Sequence, residues 1–399
     1  MECRVCDSKD LQLAIDLGKH PWANHFLRPE EVGTEPIYPL EVYHCSDCDT
    51  AQLGYTIKKE VMFGNHTYLS GMTKTLSNHF KKMAEIIDSR FCADKKDKSV
   101  LDIGSNDGTQ LKHFQNLGYS VQGVESSVKI AEMANQAGIP TDNHFFNAKV
   151  AKSYGKKFDI INAAGVFFHL EELHSVADGI KQSLRDDGTF VVQALYMKNI
   201  LENNAFDQIY HEHLLYYTAK TLNTLLNRHG MELFDAYVDP IHGGSLMGFA
   251  THKNKISQSK GLQDVLLAEE KEETNKISTY QKFAHGLEQK KKENLSFLEE
   301  CKKQGKVVYG MGAPVKGNTL LNYFGIGPEQ IKYLIEINPL REGLVSPGAH
   351  IPVVLEKNLT SPPDVYYVLA WNFKKEILQK NQDLIRRGVE FYFPVEAKE

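Results

Sequence analysis

Long apolar runs are missing from this sequence. No stretch is long enough to cross a bilayer, and Met1-Glu2-Cys3 leads into no apolar segment of the kind that opens a signal peptide. Both absences predict a soluble, cytoplasmic chain with reduced cysteines. An excess of positive charge is missing as well: the net charge of −5 carries no basic footprint for nucleic acid. Cysteine is scarce, six in all, so the places where it occurs carry information. What is present is the composition of a globular protein. Its 399 residues exceed what one core normally spans, and two or three domains are expected.

Four of the six cysteines come in pairs, Cys3 with Cys6 and Cys45 with Cys48, while Cys92 and Cys301 stand alone. Two CxxC knuckles can supply four thiolates in a tetrahedron, the closed arrangement of structural zinc. Four merely buried cysteines would not need this pairing. A redox role is disfavoured, because neither pair sits at a strand-to-helix turn. No water-activating ligand accompanies them, so the metal is expected to be structural. The wide spacing demands structure between the knuckles. Leu17 to Pro39, with four prolines, reads as extended loop, and Leu40–His44 as a strand into the second knuckle. Residues 1–80 are assigned to this zinc module. It ends in a polar, aromatic connector, Asn65 to Gly71, followed by helical spacing from Thr73 to Ser89.

Residues 81–254 read as an α/β domain. Strands are predicted at 99–103, 120–124, 158–162, 189–193 and 246–251, with helices near 127–137, 172–184 and 219–229, the alternation of a doubly wound sheet. The first strand ends in Asp102-Ile103-Gly104-Ser105-Asn106-Asp107-Gly108. The glycines permit close backbone approach or positive φ. Asp102, Asn106 and Asp107 set acceptors around the loop, which favours a cationic ligand over a phosphate. The second strand ends in Glu125, placed as the ribose-binding acid of nucleotide-binding folds. Together these resemble the AdoMet loop and ribose acid of a class I methyltransferase. His169 follows the next strand, on the ligand side of the sheet.

Residues 255–399 open with a Lys-, Glu- and Gln-rich stretch to about 300 that reads as one long solvated helix. A second α/β unit follows, with Gly310-Met311-Gly312-Ala313-Pro314-Val315-Lys316-Gly317-Asn318 at its first turn and further strands at 332–336, 352–354 and 365–370. The turn resembles a Rossmann turn without the full GxGxxG spacing.

The densest chemical signal is Tyr210-His211-Glu212-His213. Two histidines, a carboxylate and a phenol side by side are costly to bury without purpose. The spacing suits neither HExxH zinc nor a helical carboxylate site. If the segment is extended, Tyr210 and Glu212 share one face and the histidines the other. Acid–base work fits best, with a carboxylate beside a histidine able to raise its basicity. A polar loop tied by hydrogen bonds is the simpler alternative. His242-Gly243-Gly244-Ser245 reads as a tight turn close to a ligand, or as a plain hairpin turn.

In this order, the paired cysteines, the Asp102–Gly108 loop, Tyr210–His213, His242–Ser245, the Gly312–Tyr323 run and Gly348-Ala349-His350-Ile351-Pro352 resemble the sugar C-methyltransferase family of deoxysugar biosynthesis over nearly the whole chain. The resemblance implies an N-terminal zinc-binding domain, a central AdoMet-binding domain and a C-terminal Rossmann-like domain. It implies AdoMet and structural Zn2+ as cofactors, and a nucleotide-linked 4-keto-6-deoxysugar as substrate, methylated at C3 through an enolate. The protein would be a monomer or small homo-oligomer. His213 would be the base, with Glu212 and Tyr210 orienting it or the sugar, and His169 and Tyr68 near the enolate oxygen. AdoMet would be held by Asp102, Gly104, Asn106, Asp107, Gly108 and Glu125. The substrate would be held by His211, His242, Ser245, Lys316 and Asn318, and zinc by Cys3, Cys6, Cys45 and Cys48. The chain departs from the family at Ala164-Gly165, where asparagine is frequent, and at Ala194-Leu195-Tyr196, where Pro-Tyr-Leu is frequent. These departures leave the sugar, the nucleotide and the methylated carbon open. Two other readings stay open: an O-methyltransferase on a sugar or small polar molecule, and a non-catalytic zinc-knuckle binding protein with a degenerate AdoMet fold.

Overall fold

The computed structural model describes residues 1–64, 69–72 and 74–395. Each CxxC pair closes a tight turn. The Asp7 amide bonds the Cys3 carbonyl (3.0 Å) and the Asp49 amide the Cys45 carbonyl (2.9 Å). Both aspartates lie at positive φ, 64° and 61°, a region that short polar side chains enter more readily than most. Between the knuckles run two antiparallel strands, β1 (Leu11–Pro21) and β2 (Ile37–Cys45), with Leu11 opposite Cys45. The expected loop at 17–39 is thereby corrected: both ends are strand, and only the middle bulges out. The prolines are tolerated because Pro21 ends β1 and Pro39 lies beyond the reach of β3 (Ala51–Leu53), which pairs only with Val42–His44.

The central chain contributes β4 (Ser99–Ile103), β5 (Ser120–Glu125), β6 (Thr141–Asn143), β7 (Phe158–Ala164), β8 (Leu184–Leu195), β9 (Leu215–Tyr216), β10 (Met231–Asp239) and β11 (Ser245–His252). Seven of them form one sheet in the order β10-β11-β8-β7-β4-β5-β6, in which β11 runs antiparallel to its neighbours. The central strands β4 and β7 are buried almost throughout, as strands covered on both faces must be. The order reverses between β4 and β7, so the crevice past their carboxyl ends is where a ligand enters. β9 leaves this sheet: it pairs with β3, Ala51 opposite Tyr216, and completes the sheet of the zinc module.

The single helix expected over 255–300 is two, Lys260–Lys271 and Ile277–Lys303, interrupted at Glu273 (φ 51°). The interruption has a use. Glu269 turns inward to accept from the Tyr196 hydroxyl (2.9 Å) and the Ala219 amide (2.6 Å), and the Asn275 carbonyl meets His44 Nε2 (2.9 Å). The last domain holds β12 (Val308–Met311), β13 (Leu334–Glu336), β14 (Val353–Leu355), β15 (Val365–Val368) and β16 (Glu390–Tyr392), all parallel, in the order β14-β13-β12-β15-β16. This is a second open Rossmann-like sheet. No helix among the described residues is long and apolar enough to cross a membrane.

Candidate active site

The knuckles bring four sulfurs together. Cys3 Sγ lies 3.5 Å from Cys48 Sγ and Cys6 Sγ 3.5 Å from Cys45 Sγ, and all four lie within 4.8 Å of one another. A tetrahedral Zn–S bond of ~2.3 Å sets sulfurs about 3.8 Å apart, so the donor set fits zinc. Cys92 and Cys301 are buried elsewhere.

At the end of β4 the chain turns through Gly104 (φ 69°), Asn106 (φ 51°) and Gly108 (φ 78°) into the helix Thr109–Asn116. Glu125 is buried at the end of β5. Its carboxylate accepts from the Asn106 amide (3.0 Å) and the Ser127 amide (2.8 Å). Asp102 accepts from Asn162 Nδ2 at 2.6 Å. Burial, with the Glu125 charge adding to it against the Asn162 bond, pushes its carboxyl up to about 7. A cleft here is lined by Ser70, Phe80, Asp102, Gly104, Ser105, Asn106, Gln110 and Ala164. Ser105 Oγ and Gln110 Nε2 are buried without a partner among the described residues. Orphaned donors around a cleft are what a polar cofactor would satisfy. Neither residue stood out in the sequence, since a serine and a glutamine in an amphipathic turn carry no signal.

Two acceptors predicted to face the ligand do other work. Asn106 Oδ1 takes the Ser70 amide (2.9 Å), and Asp107 Oδ2 takes the Gly71 amide (2.8 Å). They fasten the segment leading out of the zinc module across the mouth of the loop. Tyr68 lies outside the described residues.

Residues 210–213 form a turn, not the extended segment expected, with the His213 amide on the Tyr210 carbonyl (2.9 Å). The turn brings Tyr210 over His213, ring centroids 3.8 Å apart. His213 Nδ1 lies 2.7 Å from the Gln208 carbonyl, which makes it the protonated nitrogen and leaves the lone pair on Nε2. His169 stands 5.1 Å away, its Nδ1 on the Glu212 carbonyl at 2.6 Å. Burial first, and then His169, hold the His213 ring well below the usual histidine range. The expectation that Glu212 raises its basicity is corrected. A main-chain carbonyl orients the ring, and the Glu212 carboxylate accepts instead from Trp22 Nε1 at 2.8 Å. His211 turns the other way, edge-on to Tyr38. Both its ring nitrogens are buried without a partner among the described residues. Burial and the nearby His20 lower it to about 4.

The glycine turn at 242–244 sits beside this group. His242 (φ 58°), Gly243 (φ 87°) and Gly244 (φ 119°) all lie at positive φ. A Cβ at Gly243 would come 2.7 Å from the Trp371 ring, and one at Gly244 2.3 Å from the Asn199 amide. Ser245 spends its hydroxyl on the Ile241 carbonyl (3.1 Å), which fixes the turn. The last domain brings Lys316, whose Nζ stands 3.7 Å over the Trp371 ring and 3.9 Å from Asp207. Trp371 Nε1 donates to the same carboxylate at 2.7 Å. Burial lowers Lys316 to about 8, against the opposing pull of Asp207. Asn318, expected on the substrate, is buried and gives its amide to the Ala23 carbonyl (2.7 Å).

Three families match in sequence. One described as "Putative zinc binding domain" covers residues 3–63, one described as "Methyltransferase domain" covers 76–235, and one described as "C-methyltransferase C-terminal domain" covers 240–396. The C-methyltransferase NovU of Streptomyces niveus is 30% identical over 99% of this chain and 95% of its own. The chain belongs to the C-methyltransferase family. Among solved structures, the CcbJ methyltransferase of Streptomyces caelestis overlaps 44% of this chain and 89% of its own, at 17% identity and a TM-score of 0.34. As a C-methyltransferase the protein uses AdoMet. The sulfur cluster is the zinc site of the N-terminal domain.

Proposed function

We propose that this C-methyltransferase acts on C3 of a nucleotide-linked 4-keto-6-deoxysugar, with His213 as the base. The observation that carries the reading is the His213 ring: neutral, buried, fixed through Nδ1 and presenting Nε2 beside the AdoMet domain's strand ends. A ketone at C4 acidifies the C3 hydrogen. His213 Nε2 takes that proton, and the C3–H electrons move into an enolate with its charge on the C4 oxygen. C3 then attacks the methyl carbon supplied by AdoMet, and the methyl–sulfur bond breaks. The depressed basicity of His213 keeps the ring in its free-base form at neutral pH. The negative charge growing beside it stabilises the imidazolium once formed. His169, held by the Glu212 carbonyl, is assigned to the enolate oxygen, Glu212 to a sugar hydroxyl, and Lys316 to the nucleotide side.

Incubating the protein with dTDP-, GDP- and CDP-4-keto-6-deoxysugars in D2O without AdoMet tests this. Deuterium should enter at C3 of one of them. Methylation of a hydroxyl with no exchange would instead establish O-methyl transfer.

A further inference from the structure

Residues 21–35, between β1 and β2, belong to the zinc domain by sequence but are held by the C-terminal domain. Asn318 donates to the Ala23 carbonyl at 2.7 Å. Leu27 and Val345 exchange both main-chain hydrogen bonds, at 2.9 and 2.8 Å. The Arg341 guanidinium lies 4.5 Å over the Phe26 ring. Glu35 accepts from the Gly348 amide (3.1 Å) and meets His350 Nε2 at 2.6 Å. A surface loop needs no such fastening. It also reaches into the central domain through Trp22, whose Nε1–H donates to Glu212 Oε1 at 2.8 Å. Glu212 is itself largely buried, 8% exposed, within the catalytic turn.

We propose that Trp22 is a positioning residue for methyl transfer: the C-terminal domain clamps residues 21–35 so that the indole fixes the Glu212 carboxylate. The inference rests on the assignment of Glu212 to the sugar. The indole has a single polar atom, a donor, so it can hold the carboxylate through one directed hydrogen bond. A buried hydrogen bond to a charged acceptor restricts the side chain more firmly than packing does. The fastening by Asn318, Arg341 and Val345 explains why this geometry survives on a loop. It also gives the third domain a share in the chemistry that its distance from AdoMet conceals.

The test compares Trp22→Phe, Glu212→Gln and the double variant in the full-length, zinc-loaded protein. The substrate is whichever 4-keto-6-deoxysugar nucleotide exchanges in the experiment above. Trp22→Phe keeps the ring and loses the donor. It should lower kcat about tenfold or more, with AdoMet affinity and zinc content unchanged. The double variant should be no slower than Glu212→Gln alone, because the indole then has no carboxylate to hold. Asn318→Ala, which loosens the clamp at Ala23, should lower kcat in the same way and add nothing to Trp22→Phe. Wild-type turnover by Trp22→Phe, or losses that multiply in the double variant, would overturn the proposal while leaving the reaction intact. Wild-type turnover by Glu212→Gln would remove the assignment of Glu212, and Trp22 with it.

Discussion

His213 meets the needs of a base at neutral pH by being buried, uncharged and held in one tautomer. His213→Asn should therefore bind AdoMet normally, yet lose both methylation and C3 deuterium exchange by ~10²–10⁴. Exchange at the wild-type rate would exclude it as the base. Asp102 supports a second expectation. Its folded carboxyl is raised to about 7 by burial and by Glu125. The group thus stabilises the apo protein when protonated, and that contribution is lost as pH rises through about 7. A cationic ligand reverses the preference and favours the carboxylate. AdoMet binding near pH 7 should therefore release a proton, measurable by calorimetry in buffers of different ionisation enthalpy, and Asp102→Asn should abolish the release. At this scale the sequence was informative where side chains are chemically unusual. The Tyr210–His213 run marks a buried turn, in which His213 and His211 part to different surroundings. The geometry behind that separation is different: a tight turn, not strand alternation, stacks Tyr210 on His213 and sends His211 under Tyr38. Trp22 stayed hidden because its partner, Glu212, lies far along the chain, and Ser105 and Gln110 because a serine and a glutamine in an amphipathic turn carry no signal.

Among elements, the knuckles and the strands of the AdoMet sheet were legible because each rests on local pattern, paired cysteines or apolar runs. β6 and β10 were not. Three residues, Thr-Asp-Asn, carry no periodicity, and the polar residues of β10 at an outer position mask its buried ones. The strand content of 17–39 was obscured by prolines that fall at the end of one strand and, in the other, beyond the residues that pair with β3. β1 and β2 emerge directly between the two knuckles, so a metal held by the four sulfurs would tie the ends of the pair together. Cys45→Ser should lose zinc by metal analysis, lower the melting temperature and reduce methylation, since Trp22 follows at the end of β1. Full zinc retention with intact activity would refute the assignment of Cys45 as a ligand.

At the scale of the whole molecule, the proposed site collects groups from all three domains: Trp22 from the first, His169, Glu212 and His213 from the second, Lys316 from the third. The Rossmann-like order of the last sheet was foreseeable from its strand and turn pattern. Its packing against the catalytic turn was not, because Asp207, Lys316 and Trp371 meet only in three dimensions. Lys316 is lowered to about 8 by burial, so its cation is present below that pH and lost above it. If it serves the nucleotide, kcat/KM should fall above about pH 8, and Lys316→Arg should move that alkaline limb to higher pH. An unmoved limb would place the titration elsewhere. The exchange of β9 into the zinc module's sheet bears on how the protein is made. As the chain leaves the ribosome, β3 emerges long before Leu215 and Tyr216, and until they arrive its outer edge is an unsatisfied template for other strands. Closing that edge waits on a contact across the whole AdoMet domain, an arrangement of high contact order. The turn at 210–213 and the last strand of the zinc sheet are then set in place together, so His213 reaches its position only when the first domain is sealed.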